Sequence, residues 1–469
     1  MPVGKGLART MPDTEPAHRF VPPHWPVATG NPNVIDLFRS VSNTLLGWSK
    51  EVYAGGVFQA PAPGAPMVVG DADIAASVLI EHADAFPHGE QFDRLFRPVW
   101  GRGIFVTEGA EWKWQRRAAM PAFRADRMKA FAPIMVRAAH AALADWSRAT
   151  APLNLHDETR RITLRVLLDA ALSGGEDFLS IAEASRHIDE FIAGVGRFTL
   201  TDFLPMPNWM RPSTAARGGS STAWLRRHVD MMIARRRKDT APRGDLVDFL
   251  FEAVDPETGQ RMDDELVRDN LMGFIAAGHE TTSFALSWAL WLVASHAPTR
   301  QRMLEEISSV AGDAALDADH LDGLVFTKQV LQETMRLFPG ATAVVRTAAR
   351  DIELKGRKIQ KGTMVVLATH AFHRRPDFWP DPNVFDPDRF AADRAQPGRP
   401  RLAYMPFSAG PRVCMGAAFA MTELTLVLAT LVRAVRLEAD PTRPVTLGIR
   451  VGGFVAKCGM WMKPVSRLA

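Results

Sequence analysis

The chain has 469 residues, 47% of them apolar and 23% charged, with 56 Lys and Arg against 52 Asp and Glu for a formal net charge of +4. This is the balance of a globular protein, which excludes disorder as the main state, and having only two cysteines, Cys414 and Cys458, excludes a disulfide scaffold. The small basic excess is spread along the chain, with no concentrated basic domain of the kind that nucleic-acid binding needs.

Residues 1–31 read as a proline-rich arm (Pro2, Pro12, Pro16, Pro22, Pro23, Pro26), and residues 32–469 as one folded domain. The arm has no apolar stretch that would serve as an export signal or membrane anchor, which with the two cysteines leads us to expect a reducing cytoplasm. A helix is predicted after Asn31–Pro32, with the proline in its first turn. Two short apolar stretches within residues 57–69, around Pro61, Pro63 and Gly64, predict a β-hairpin. From 71 to 320 helical periodicity dominates, with breaks at Gly101/Gly103, 173–175, 205–212 and 242–244.

A long helix is predicted over 264–297, started by Asp263, Asp264 and Glu265 and stopped by Pro298. At 1.5 Å per residue it would span ~50 Å. Residues 271–293 are apolar enough to suggest a membrane span, but their centre reads Gly278-His279-Glu280-Thr281-Thr282-Ser283, and a carboxylate with three hydroxyls is costly in lipid. A buried helix crossing the protein, with a polar middle serving something inside, is the better reading. Strands are predicted within 351–368, irregular chain over 375–400, a helix over about 416–433, and short strands within 445–462. The fold class is mainly α with a minor β-sheet part.

Three local patterns carry chemistry. Phe407-Ser408-Ala409-Gly410-Pro411-Arg412-Val413-Cys414-Met415-Gly416 puts a cysteine after a turn-rich loop at the start of a helix. Loop N–H groups, the positive helix end and Arg412 would favour its thiolate. Alone, such a cysteine could be a nucleophile, a redox sensor or a buried apolar residue; Cys458 reads as the last. Glu333-Thr334-Met335-Arg336 places an acid and an arginine on one helix face. Ala277-Gly278-His279-Glu280-Thr281-Thr282 sets an acid beside a threonine that can bond back to the Ala277 carbonyl. That pair could form a proton relay, or the threonine could simply bend the helix.

In this order and spacing the three patterns, F-x-x-G-x-R-x-C-x-G, E-x-x-R and A-G-x-E-T-T, resemble the cytochrome P450 family over nearly the whole chain from about Pro32. The resemblance implies that family's fold, a triangular helix-rich prism with haem b (iron protoporphyrin IX) between a long distal helix and a proximal helix. It implies Cys414 as the iron ligand within a loop that includes Phe407, Gly410 and Gly416, and oxygen binding at Ala277 and Gly278. Trp112 and Arg116, in a W-x-x-x-R pattern, would bind a haem propionate, and Arg346 and Arg412 would also serve the propionates. Thr281 would steady the reacting dioxygen and Glu280 would relay protons to it. Phe385-Asp386-Pro387-Asp388-Arg389-Phe390 resembles the family's PERF box, with Asp in place of Glu, so that Arg389 would complete a structural triad with Glu333 and Arg336. The resemblance further places Phe86, Phe92, Phe96, Phe274, Ala277, Val344, Val345 and Phe454 around an apolar substrate, and the apolar loop 203–210 as an entrance lid.

The implied activity is insertion of one atom of O2 into a hydrophobic lipid, terpenoid or steroid-like molecule. Electrons would come from a separate ferredoxin with its reductase or from a flavodoxin, since one spare cysteine cannot hold an iron–sulfur cluster. Gly194-Val195-Gly196 and Gly101-Arg102-Gly103 lack the third glycine of a dinucleotide fingerprint. Arg116, Arg117, Arg124, Arg127 and Lys129 are candidates for a docking patch, while residues 235–238 read as a solvated basic helix end. His370 and His373 lack a third metal ligand, and Asp381, Asn383, Asp386 and Asp388 lack the order of a calcium loop. Further expectations are a monomer with no membrane anchor and no nucleic-acid partner. The alternatives are a haem-thiolate enzyme that uses peroxide or rearranges its substrate, and a non-catalytic haem sensor.

Overall fold

The computed structural model describes residues 20–27, 30–32, 45, 48–61, 64–172, 181–195, 214–239, 241–394, 398–450 and 452–466. The helix predicted after Pro32, the breaks at 173–175 and 205–212, and the loop 203–210 lie outside the described residues.

The predicted hairpin is present: β1 (Val57–Gln59) pairs antiparallel with β2 (Met67–Val69). Ten longer helices follow in chain order: α1 (Glu90–Trp100), α2 (Gly109–Ala119), α3 (Ala132–Trp146), α4 (Leu155–Leu172), α5 (Ile181–Val195), α6 (Thr214–Lys238), α7 (Asp264–Ser295), α8 (Ala297–Ala311), α9 (Val325–Leu337) and α10 (Ala417–Ala434). Strands β3 (Leu153–Asn154), β4 (Val344–Thr347), β5 (Ile352–Leu354), β6 (Arg357–Ile359), β7 (Met364–Leu367), β8 (Val435–Ala439), β9 (Leu447–Arg450), β10 (Gly453–Ala456) and β11 (Trp461–Ser466) complete the set. They form a sheet ordered β1-β2-β7-β4, a sheet ordered β3-β11-β8, and the hairpins β5/β6 and β9/β10.

Helix α7 is the spine. The Asp263 carboxylate caps it by accepting the Leu266 N–H at 2.7 Å, satisfying one of the donors a helix start leaves free. It runs 32 residues, ~48 Å at 1.5 Å per residue. Pro298 does not stop it. The helix ends at Ser295, and Pro298 sits in the first turn of α8, where a missing N–H costs nothing. Helices α4, α6, α8, α9 and α10 pack around the spine. Among the described residues, Ala417–Ala434 is the one helix long and apolar enough to cross a membrane by composition; 61% of that stretch is buried in the protein, so core packing accounts for its apolarity.

Part of the N-terminal arm is docked. Phe20 stacks on His296 at 5.5 Å, and its carbonyl accepts the Phe385 N–H at 3.0 Å. The basic end of α6 is not simply solvated either. Arg236 is buried, bonds Asp245 at 2.8 Å and pairs with Asp248. Asp245 caps the short helix Leu246–Glu252, so Arg236 anchors that helix, while Arg235, Arg237 and Lys238 are exposed as expected.

Candidate active site

Between Leu266 and Ala294, α7 exposes only Ala277 and Thr281. They are four apart and share one face, so the middle of a buried helix opens onto an interior space along a single stripe. The Thr281 hydroxyl donates to the Ala277 carbonyl at 2.8 Å, as its position predicts, and the helix continues unbroken. Gly278 does not belong to that stripe. A Cβ there would meet the Leu167 side chain at 3.2 Å, so Gly278 serves the close approach of α7 to α4.

The cysteine loop is held by its own backbone and by a tight contact. The Cys414 N–H donates to the Phe407 carbonyl and the Val413 N–H to the Gly410 carbonyl, each at 3.0 Å. Gly410 has φ +74°, and a Cβ would overlap the Leu79 carbonyl of the π-helical turn Ser77–Glu81; only glycine fits. Cys414 is exposed by area. Burial nonetheless pushes its thiol up, against the Gly416 N–H and Arg116, which pull it down. Its free surface therefore faces an enclosed space. The loop N–H and a neighbouring arginine favour the thiolate, as the sequence leads one to expect, and desolvation works against them. The cation acting on it is Arg116, since Arg412 is engaged elsewhere.

Arg412 donates to the Thr107 carbonyl at 2.8 Å, pairs with Glu108, lies 3.4 Å from His88 Nδ1 and stacks 4.3 Å over Trp112. Arg116 donates to the Val413 carbonyl at 2.9 Å and lies 5.6 Å over the same ring. Arg346, on β4, is 6% exposed and donates to its neighbouring carbonyl, Val345, at 2.8 Å. Burial pushes Arg346 down to about 10, with Arg412 adding to the effect and Glu108 opposing it. Burial also pushes His88 down, to about 4, against its contact with Glu108. Arg412 and Arg346 share the one carboxylate of Glu108, and Arg116 lies beside Arg412 over the Trp112 ring without an acid of its own among the described residues. Such a surplus of desolvated positive charge calls for an anionic partner, and the two carboxylates of a haem, approached by a cysteine sulfur facing an enclosed space, match this donor set.

Behind the Thr281 stripe lies a second polar cluster. Glu280 is 3% exposed, lies 3.7 Å from Arg160 and 3.3 Å from Arg450, and neither of its oxygens accepts a hydrogen bond among the described residues. Arg160, on α4, pairs with Asp189 of α5. His279 is fully buried with both ring nitrogens unpartnered, and burial, helped by Arg160, pushes it down to about 3. Sequence reading picked out Glu280 but not Arg160, Asp189 or Arg450, since none carries a local signal.

The aromatic residues expected around a substrate divide. Phe92 and Phe96 belong to a ladder in which His88 stacks on Phe92 at 4.4 Å, Phe92 meets Phe96 at 4.4 Å, and Phe96 stacks on Trp100 at 4.7 Å. Phe105, absent from the sequence expectations, ends it 4.3 Å from Trp100 and is 38% exposed. Phe274 meets Phe123 at 5.0 Å and is half-buried, as are Val344 and Val345. Phe86 and Phe454, each 1% exposed, are core residues with no free surface for a ligand; Phe454 even lends its carbonyl to Trp288.

The remaining expectations are answered by local contacts. Glu333 and Arg336 form a fully buried pair at 2.6 Å, and Arg389 reaches Glu333 at 3.4 Å, so the triad is present. His370 lies 3.2 Å from the Tyr53 hydroxyl, and His373 Nε2 accepts the Met405 N–H at 3.0 Å; both are structural. Asp386 caps a 3-10 turn and Asp388 binds Arg302 at 2.7 Å. The basic docking patch is largely neutralised from within: Arg117 binds Asp255 at 2.7 Å, Arg124 binds Asp126 at 3.2 Å and Lys129 binds Asp322 at 3.2 Å, while Arg127 lies over Phe249.

Residues 53–455 match the family profile described as Cytochrome P450. The chain is 33% identical over 357 residues to cyclooctat-9-en-7-ol 5-monooxygenase of Streptomyces melanosporofaciens, covering 76% of this chain and 77% of that one. It is 29% identical to human cytochrome P450 4A11, over 78% and 73% of the two chains. Among solved structures, the heme domain of cytochrome P450DA superposes with a TM-score of 0.79 at 24% identity, covering 92% of this chain and 94% of the other.

Proposed function

The chain belongs to the cytochrome P450 family, and from that premise we propose that it is a monooxygenase of apolar terpenoid or fatty-acid-like molecules, reduced by a separate ferredoxin or flavodoxin system and located in the cytoplasm. The family makes it a haem-thiolate monooxygenase that uses O2 and a redox partner. The observation that carries the site assignment is the Ala277–Thr281 stripe: an otherwise buried helix exposes one methyl and one hydroxyl to the interior.

Bound haem, in our reading haem b, supplies the oxidising chemistry, with its thiolate ligand pushing electron density toward O–O cleavage. Cys414 is the residue that would hold the iron, with the Gly416 N–H and Arg116 offsetting the cost of its charge. Arg116, Arg346 and Arg412 would hold the propionates, and Trp112 packs against two of these guanidiniums. Thr281 already donates to the Ala277 carbonyl, so its hydroxyl oxygen stays open to accept one proton donor. Glu280, next to it and without a hydrogen-bond partner among the described residues, can take a proton on one side and release it on the other. The half-buried Phe92, Phe96, Phe274, Val344 and Val345 offer apolar surface, which suits a largely hydrocarbon molecule such as the cyclooctat-9-en-7-ol that a relative is named for.

The test is a titration of the ferric holoprotein with diterpenes, fatty acids and steroids, followed by turnover with surrogate redox partners. We expect members of the first two classes to shift the Soret band to shorter wavelength. We also expect Thr281→Ala to keep consuming NADPH while product per NADPH falls about tenfold or more. A panel without any shift overturns the apolar substrate, and undiminished coupling in Thr281→Ala overturns the relay.

A further inference from the structure

The segment that joins α1 to α2 carries the end of the aromatic ladder, and besides the Arg102–Asp263 pair at 3.5 Å it is held largely through its main-chain atoms. From α6, Arg226 donates to the Pro98 and Val99 carbonyls, each at 3.1 Å. From α7, Asp269 accepts the Arg102 N–H at 2.7 Å and Asn270 accepts the Ile104 N–H at 2.9 Å. From α2, Gln115 donates to the Arg102 carbonyl at 3.0 Å. Asp269, Asn270 and Gln115 are each at most 2% exposed, so these acceptors and donors are desolvated and costly to leave unpaired.

The backbone is shaped for the contact. Gly101 has φ +54°, and a Cβ there would overlap the Asp269 carboxylate. A Cβ on Gly103 would come within 3.0 Å of the Asp269 carbonyl. The same carboxylate is held from behind by Arg268 at 2.9 Å, and Arg268 also reaches Asp230 of α6 at 3.4 Å. Asn270 is oriented by a bond from its amide to the Leu266 carbonyl at 3.0 Å.

Taking the haem-thiolate reading as premise, we infer that Arg226, Asp269, Asn270 and Gln115 form a latch that fixes residues 98–104, and with them Trp100 and Phe105, over the substrate space. They are positioning residues for the oxidation, acting through the segment they hold. Because the latch grips carbonyls and amides, it sets where the wall stands while leaving the wall's side chains free to define fit. One turn of α7 begins the latch at Asp269 and Asn270, and two turns further on the same helix presents Ala277 and Thr281. The wall and the reacting stripe are thereby referenced to one rigid element, which is what a precisely positioned site requires. A latch that closes only part of the time weakens every ligand that needs the closed wall, in proportion to the closed fraction.

The test compares the wild-type holoprotein with Asp269→Ala, Asp269→Asn and Arg226→Ala. The probes are imidazole, which needs only the iron, and 4-phenylimidazole, which also fills the space beneath the wall. We expect 4-phenylimidazole to bind about tenfold more weakly to Asp269→Ala and Arg226→Ala, with imidazole unchanged and Asp269→Asn within about twofold of wild type, since its side-chain oxygen still accepts the Arg102 N–H. Hydrogen exchange of the Arg102 and Ile104 amides should speed up in Asp269→Ala. Equal losses for both probes, or unchanged exchange, overturn the latch. The carbon-monoxide spectrum of wild type tests the haem reading separately, and the exchange measurement reads the latch whichever way that spectrum falls. Should Asp269→Ala fail to fold, Arg226→Ala, whose side chain is only half-buried, carries the same test.

Discussion

Two carboxylates buried in the same protein are treated in opposite ways. Glu333 is completely buried and accepts from Arg336 at 2.6 and 2.7 Å and from the Asp386 N–H at 2.9 Å, with Arg389 at 3.4 Å. Arg336 in turn donates to the carbonyls of His373, Pro382 and Val384. Glu280 is 3% exposed and has two arginines nearby, but among the described residues it accepts no hydrogen bond and its neighbour His279 has none on its ring. A buried charge with both oxygens hydrogen-bonded is fixed in place. One with an open coordination shell costs stability and can change its proton or its partner. The first cluster holds the chain, and the second has the open coordination that the proposed proton relay requires.

The sharpest way to break this contrast is to remove each acid in turn. Glu333→Ala leaves the Arg336 guanidinium and the Asp386 N–H desolvated without their acceptor. Breaking a buried pair in this way costs about 3–5 kcal/mol, a third or more of the stability of many proteins. The expected outcome is a melting temperature lowered by many degrees and a reduced yield of holoprotein, read by thermal melting and by the carbon-monoxide spectrum. A variant that melts within a few degrees of wild type would show that the triad is not what holds the segment from His373 to Val384.

Glu280→Gln should do the reverse. It removes the charge facing Arg160 and Arg450 but no hydrogen bond among the described residues, and Arg160 keeps Asp189, so the loss of stability should be clearly smaller than for Glu333→Ala. The rate should fall by about a hundredfold, the usual scale for a positioned proton donor, with a larger solvent isotope effect. Loss of stability without loss of rate would place Glu280 with Glu333 as a structural acid.

The first cluster was legible in sequence because its core is local. Glu333 and Arg336 are three residues apart on one helix, and the Asp386–Arg389 motif carries its own turn chemistry. The long helix and the cysteine loop were legible for the same reason: Asp263 caps, Thr281 bonds back one turn, and Gly410 needs positive φ. The second cluster was half visible. Glu280 stands beside a threonine within a motif, but Arg160, Asp189 and Arg450 come from three remote elements, and only the packing of α4 and α5 against α7 brings them together. Burial was the other blind spot. Phe86 and Phe454 look like pocket aromatics by type and turn out to be core, while Arg236 looks like a solvated end and is buried. Which face of an element meets the core depends on its partners, and composition does not record it.

The smallest expected effect refines the contrast within the second cluster. His279 is pushed down to about 3 by burial and then by Arg160, and His156, stacked on Phe284 at 5.2 Å, is pushed down to about 3 for the same two reasons. In the unfolded chain an imidazole takes up its proton below about 6.5. Between pH 6.5 and 3 the folded state therefore holds fewer protons than the unfolded state. The stability these histidines allow is intact above 6.5 and drains away as pH falls through that window. His279→Leu removes one of the two titrations and two unpartnered nitrogens. Compared with wild type by urea melting, it should gain on the order of 1–2 kcal/mol on going from pH 8 to pH 5, while His156 continues to titrate in both proteins. If the gap between the two proteins is the same at both pH values, His279 takes up its proton as readily in the folded state as in the unfolded chain, and the second cluster accommodates that charge as fully as the first accommodates its own.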